Sequence, residues 1–264
     1  MRKTLCVLPF CAVVLFAQGP RGGGPGPGGF GGFGGRGPGI LGAGTRTPIT
    51  GAPYSATETL TTEQALVGNQ ISRKQTATVA RDSQGRISTS ETVTPATSSG
   101  KSPYTIETIF DPVAGYRYEL NSATMIAIQT PLPKPRNGNL PAGTPPARPP
   151  NPNVTTTSLG TQTINGVTAT GTQRTETIPA GAIGNAQPIQ VTRVAWVSTD
   201  LKVPVQIKSS DPRFGASDLE VTNIVEGEPG ASLFVVPAGY TVQQGGRGPG
   251  GPDRKARRGP GGPQ

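Results

Sequence analysis

Five carboxylates, Asp211, Asp218, Glu220, Glu226 and Glu228, fall close together near the end of the chain. Gathered at one point, such residues could ligate calcium through oxygen or divide the roles of acid and base. Their setting argues for a plainer role. Asp211-Pro212 is a turn signal, and Asp218 to Glu228 alternates polar with apolar residues as a strand does, which leaves the charges on a wet face. The chain has no histidine, and its two cysteines, Cys6 and Cys11, lie near its start. A Ser-His-Asp or Cys-His arrangement and the common zinc sites therefore lack the residues to build them. Strings of the GxGxxG type occur only in a glycine-rich stretch that follows no strand and opens no helix, so they reflect composition and not a nucleotide site. We assign no catalytic residue, metal site or cofactor, and the chain reads as non-enzymatic.

Charge directs attention to the ends. Of the 24 basic residues, Arg2 and Lys3 open an N-terminal signal-like segment, followed by the apolar run Leu5 to Phe16 and small Ala17. That run is shorter than a typical membrane span of about 20 residues. We expect residues 1–17 to be a removable secretory signal, with no lipid anchor, and the mature chain to have no disulfide. Between Thr50 and Tyr240, fourteen basic side chains balance fourteen acidic ones. The excess therefore sits in the tails: Arg21, Arg36 and Arg46 in residues 18–49, and Arg247, Arg254, Lys255, Arg257 and Arg258 in residues 243–264. Both tails are dominated by glycine and proline, which bury too little apolar surface to offset the entropy of ordering, and we expect them to be disordered. Gly-Arg-Gly steps with phenylalanine, as in GGFGGFGGRG, suit binding to an anionic polymer by charge and stacking. The five basic residues of the second tail are the candidates for that role, and a spacer is the plainer reading. In an exported protein the anion would be a phosphorylated lipid head, a polysaccharide or extracellular DNA.

The elements that must carry any site lie in residues 50–242, rich in Thr, Val and Ile with apolar residues at period two. In LKVPVQIKSS, Leu201, Val203, Val205 and Ile207 share one face; Pro204, lacking a donor, predicts a sheet edge or a bulge. YTIETIF places Tyr104, Ile106 and Phe110 together, and YRYEL does so for Tyr116, Tyr118 and Leu120. Turn signals separate the runs: Gly68-Asn69, Asp82 to Gly85, Asp111-Pro112, Asn121-Ser122, Asn165-Gly166, Ser198 to Asp200 and Asp211-Pro212. Asn-Gly is the strongest, because a type I′ turn needs positive φ at both central residues. SATETLTTEQAL is the one rival for a helix, and its threonines disfavour it. Residues 131–153 are proline-rich and read as a long loop between two halves of one sheet; a linker between two small domains would look similar. The expected fold is all-β, about ten antiparallel strands in a curved sheet, a half-barrel or a sandwich. Phe110, Tyr116, Tyr118 and Trp196 are its candidate ligand contacts if a concave surface exists, and otherwise core or sheet-face anchors.

Several phrases carry a resemblance: ARDSQGRISTS (80–90), IFDPVAGYRYELN (109–121), the long run from Ile164 to Val205, SSDPRFG (209–215) and EGEPGASLFVVPAGYTV (226–242). Together, over most of Thr50 to Val242, they resemble a family of uncharacterised secreted bacterial proteins. More distantly, their layout is similar to the half-barrel of periplasmic lipoprotein carriers and of the envelope-stress regulators that share that fold. The resemblance implies an acyl chain or lipoprotein bound on a concave apolar face. Those carriers cover that face with helices, and no good helical segment is present in this sequence.

The expectation is therefore an exported binding module of the cell envelope, periplasmic or extracellular, for a lipid, lipoprotein or envelope protein. The alternative is a structural surface protein whose basic tails bind anionic polymer. The tail reading is testable: deleting residues 246–264 should shorten retention on a polyanion column at low salt and change nothing at high salt. Unchanged retention at both would remove it.

Overall fold

The computed structural model describes residues 48–95, 97–133 and 151–245. The expected signal, most of the first tail, nearly all of the basic tail and most of the proline-rich loop lie outside these. Among the described residues, twelve strands form a single sheet: β1 (Tyr54–Leu66), β2 (Asn69–Arg81), β3 (Ile87–Val93), β4 (Tyr104–Asp111), β5 (Tyr116–Asn121), β6 (Ile126–Pro131), β7 (Val154–Ile164), β8 (Val167–Ile178), β9 (Ile189–Ser198), β10 (Pro204–Asp211), β11 (Gly215–Glu226) and β12 (Thr241–Gln244). Helical geometry is confined there to two 3₁₀ turns, Thr97–Ser99 and Ala231–Phe234. The stretch SATETLTTEQAL lies in β1.

Two meanders build the sheet. From β1 the chain steps outward through β2, β3, β4 and β5 to β6; it re-enters at the opposite edge as β7 and returns through β8, β9 and β10 to β11, which pairs with β1. The order is β12-β6-β5-β4-β3-β2-β1-β11-β10-β9-β8-β7, antiparallel throughout except that β12 pairs with β6 in parallel. Both halves expected on either side of the proline-rich segment thus belong to one curved sheet, and the sandwich alternative falls away.

Turn chemistry follows the sequence. Asn165 and Gly166 have φ of 50° and 90°, the two positive values a type I′ turn demands. Elsewhere an aspartate or asparagine at the strand end closes the turn with its own side chain. Asp82 Oδ1 accepts from the amides of Gln84 and Arg86 at 3.0 and 2.8 Å. Asp111 Oδ1 accepts from Val113 and Ala114, and Asn121 Oδ1 from Ala123. Pro204 sits beside a bulge between β10 and β9; of the two settings expected for it, edge or bulge, the structure uses the bulge, because β10 lies inside the sheet. A second irregularity, opposite Ser55 to Thr57, holds Asn223 at a φ of 52°.

The largest core joins Tyr54, Ala56, Val79, Val205 and Val221 with Trp196, Leu201 and Val203. Trp196 packs flat on the bare backbone of Gly171, its partner across β8 and β9. A Cβ at Gly171 would stand 2.6 Å from the indole ring. Gly171→Ala should therefore displace the chain's single tryptophan and cost about 1–3 kcal/mol. Urea unfolding followed by Trp196 emission checks this, and a midpoint equal to that of the parent protein would count against it.

Candidate functional site

β1 shows how the sheet divides its two faces. Tyr54, Ala56, Glu58 and Leu60 are buried on one side, while Ser55, Thr57, Thr59 and Thr61 alternate on the other. Register extends the buried side across neighbouring strands: Leu60 lies opposite Leu219 of β11, and Leu219 opposite Ile207 of β10. Those three residues form a cluster with Ala195 of β9 against it. Ala56 lies opposite Val79 of β2, and Glu58 opposite Ala77. The result is an apolar face spanning β2, β1, β11 and β10, each fully buried aliphatic side chain contributing about 1.5–3 kcal/mol.

Two charged residues interrupt that face. Glu58 and Arg81 are 0% and 1% exposed. Arg81 donates from Nε and Nη2 to the carbonyl of Ala52 at 3.0 and 2.6 Å, and from Nη2 to the carbonyl of Leu201 at 2.6 Å. Its guanidinium also lies 4.9 Å from the centre of the Tyr54 ring. Burial lowers the Arg81 pKa, partly offset by Tyr54. Burial, and then the charge of Glu58, push the Tyr54 phenol up to about 12, so it stays neutral.

The Arg81 bond to Leu201 measures curvature. β2 and β10 are three strand steps apart, about 14 Å along a flat sheet, beyond the reach of one arginine. The sheet must curl for the two to meet. Asn165, in the turn between β7 and β8, repeats the test by donating to the carbonyl of Val221 at 2.8 Å.

The opposite face is closed at the β3–β6 end by the segment that leaves β11. Glu228 of that segment accepts from the Ser83 amide at 3.1 Å. Phe234 is buried against β3 and β4 under the Arg86 guanidinium, 5.1 Å from its ring centre. Arg86 is itself held by buried Asp82 at 2.5 Å. Further on, Val236 and Tyr240 cover the cluster of Ile109, Leu120 and Ala127. Glu107, opposite Leu120, is half-buried here and accepts from the Ser88 hydroxyl at 3.2 Å.

The four aromatic candidates do not share one surface. Trp196 is a core residue, and Phe110 packs against the same core. Tyr118 belongs to the other face: it stands opposite Ile109, whereas Phe110 stands opposite Arg117. There Tyr118 packs on the Ile109 cluster, accepts from Gln129 Nε2 at 2.8 Å, and lies 6.3 Å from tilted Tyr116. The basic candidates Arg247, Arg254, Lys255, Arg257 and Arg258 lie outside the described residues. The five carboxylates do not converge. Asp211 is held by Arg213, whose hydrogen bonds lower its pKa; Asp218 pairs with Lys208; Glu228 binds the Ser83 amide. Among the described residues no three such groups could hold a metal ion, and no helix is long and apolar enough to cross a membrane.

No family model and no curated protein matches the chain. Solved structures similar to it include MucB, at a TM-score of 0.38 and 10% identity, over 71% of this chain and 58% of that one. A LolA superfamily protein from Nitrosomonas europaea is similar at a TM-score of 0.31 and 10% identity, over 71% of this chain and 92% of that one. LprF from Mycobacterium bovis is similar at a TM-score of 0.30 and 12% identity, over 72% of this chain and 90% of that one. This chain thus spans less than two thirds of the MucB chain. The distant resemblance in fold read from the sequence recurs among these structures.

Burial raises the Glu107 pKa above 4.5, and the Ser88 hydrogen bond only partly counters it. The folded protein thus holds this proton to higher pH than the unfolded chain, so the contribution is present at low pH and is lost as pH rises through the raised folded value. Glu107→Gln keeps the acceptor for Ser88 and removes the ionisation. It should raise the thermal midpoint at about pH 7 and leave it unchanged at about pH 3; equal shifts at both would refute the assignment.

Proposed function

We propose that the chain is an exported, non-enzymatic binding module of the cell envelope that receives a hydrophobic ligand, the acyl part of a lipid or lipoprotein, on the curled face of its sheet. One observation carries this reading. A continuous apolar face crosses β2, β1, β11 and β10, while the described residues contain no helix to form a second layer over it.

The energetics suit an acyl chain. Each buried methylene contributes about 0.8 kcal/mol, so about ten of them supply about 8 kcal/mol before the cost of association. The face has no catalytic grouping to act on such a ligand. Its buried charges are placed to hold the sheet: Arg81 is spent on two backbone carbonyls and the Tyr54 ring. Of the residues nominated from sequence, Phe110 and Trp196 would be reached at the rim of this face, through the core they share. Tyr116 and Tyr118, on the covered face, would take no part.

The test is native mass spectrometry of the full chain purified from its host's envelope, with bound lipid extracted and identified. A stoichiometric lipid is expected, and its occupancy should fall in Ala77→Leu, which narrows the face, with the circular dichroism of the parent retained. A ligand-free monomer would overturn the reading in favour of a structural role.

A further inference from the structure

The far face of β1, β11, β10 and β9, behind the apolar side, holds a cleft of about 420 Å³. That volume is within the range of small-molecule sites, about 300–1,000 Å³. Strand alternation sets its chemistry. Thr59 and Thr61 point into it because Glu58 and Leu60 point the other way, and Thr192 and Ser210 join them from β9 and β10.

Its charges are unequal. Glu63, Asp218 and Glu220 bring three carboxylates against the single ammonium of Lys208. Lys208 is engaged by Asp218 Oδ2 at 3.4 Å. Asp218 Oδ1 is shut off from solvent with no hydrogen-bond partner. A carboxylate oxygen in that state is costly unless something donates to it, and nothing in the described chain does. No aromatic side chain lines the cleft, so recognition there rests on hydrogen bonds and charge and not on stacking.

We propose that this cleft is a second binding site, distinct from the apolar face, for an amine-bearing polyol of the amino-sugar class. The ammonium answers the surplus carboxylates and donates to Asp218 Oδ1; the ring hydroxyls exchange hydrogen bonds with the threonine and serine hydroxyls, which both donate and accept. An anionic ligand is disfavoured by the same surplus. The carboxylates are too dispersed for a compact cation, since they form no metal-holding group.

Calorimetric titration of the full chain tests this with three probes: a glucosamine trimer, its fully N-acetylated counterpart, and spermidine. The glucosamine trimer should bind, the acetylated trimer should bind about tenfold or more weakly for want of the charge, and spermidine should bind weakly for want of hydroxyls. Asp218→Asn should weaken the glucosamine trimer about tenfold or more, whereas Lys208→Gln, which removes the competing ammonium, should strengthen it. Circular dichroism confirms that both variants are folded. Equal binding of the two trimers, tighter binding of spermidine than of the glucosamine trimer, weaker binding on Lys208→Gln, or no binding of any probe would overturn the proposal. None of these outcomes bears on lipid at the other face.

Discussion

Arg81 is the interaction on which the shape of the sheet depends. A guanidinium can be buried only where acceptors meet its donors, and both of its acceptors are carbonyls outside the strand ladders: Ala52 precedes β1, and Leu201 lies in the turn between β9 and β10. Because these carbonyls have no ladder partner, they are free to take the cation. Because they are far apart in sequence, taking it draws the two meanders toward one another. The Tyr54 ring completes the cage, and its phenol is kept neutral by the same burial. A chain without disulfides in this region thereby gains a long-range tie whose strength comes from desolvated, charge-assisted hydrogen bonds.

A curled single sheet has two faces of different character, and each has its own solution here. On the inner side, aliphatic residues from adjacent strands make one face that suits an apolar ligand. On the outer side, threonine and carboxylates make the hydroxyl-rich cleft at one end, while Phe234, Val236 and Tyr240 close the other. That last segment is anchored by a relay of local contacts. Asp82 holds Arg86, Arg86 lies over Phe234, and Glu228 caps the Ser83 amide, all centred on the turn between β2 and β3. The chain then ends its described course as β12, in parallel with β6, which closes that edge of the sheet.

Much of this was legible in the residues. Period-two alternation marked Leu201, Val203, Val205 and Ile207 as one buried face, and all four are buried. Asn165-Gly166 and the Asx residues at strand ends marked their turns, because φ preference and side-chain capping act over two or three residues. Pro204 marked an irregularity by its missing donor. The partition of Phe110 from Tyr118 was not legible. Alternation says which residues share a face within a strand, but the face a neighbouring strand presents depends on register, and a shift of one residue inverts it. The four-residue turn after Asp111 sets Tyr118 opposite Ile109, and so separates two aromatics that composition alone would group. Arg81, one arginine among many, carried no local mark of its role.

The sequence by itself determined the class of the fold, the strands and their turns, and the shortage of catalytic groups, because these follow from local propensity and from which side chains are present. Only the tertiary structure decided that the two meanders form one sheet, that it curls, which faces are apolar or polar, and where Arg81, Glu107 and Asp218 lie. Those depend on register, bulges and contacts between residues more than a hundred positions apart, as with Arg81 and Leu201, and no local pattern encodes them.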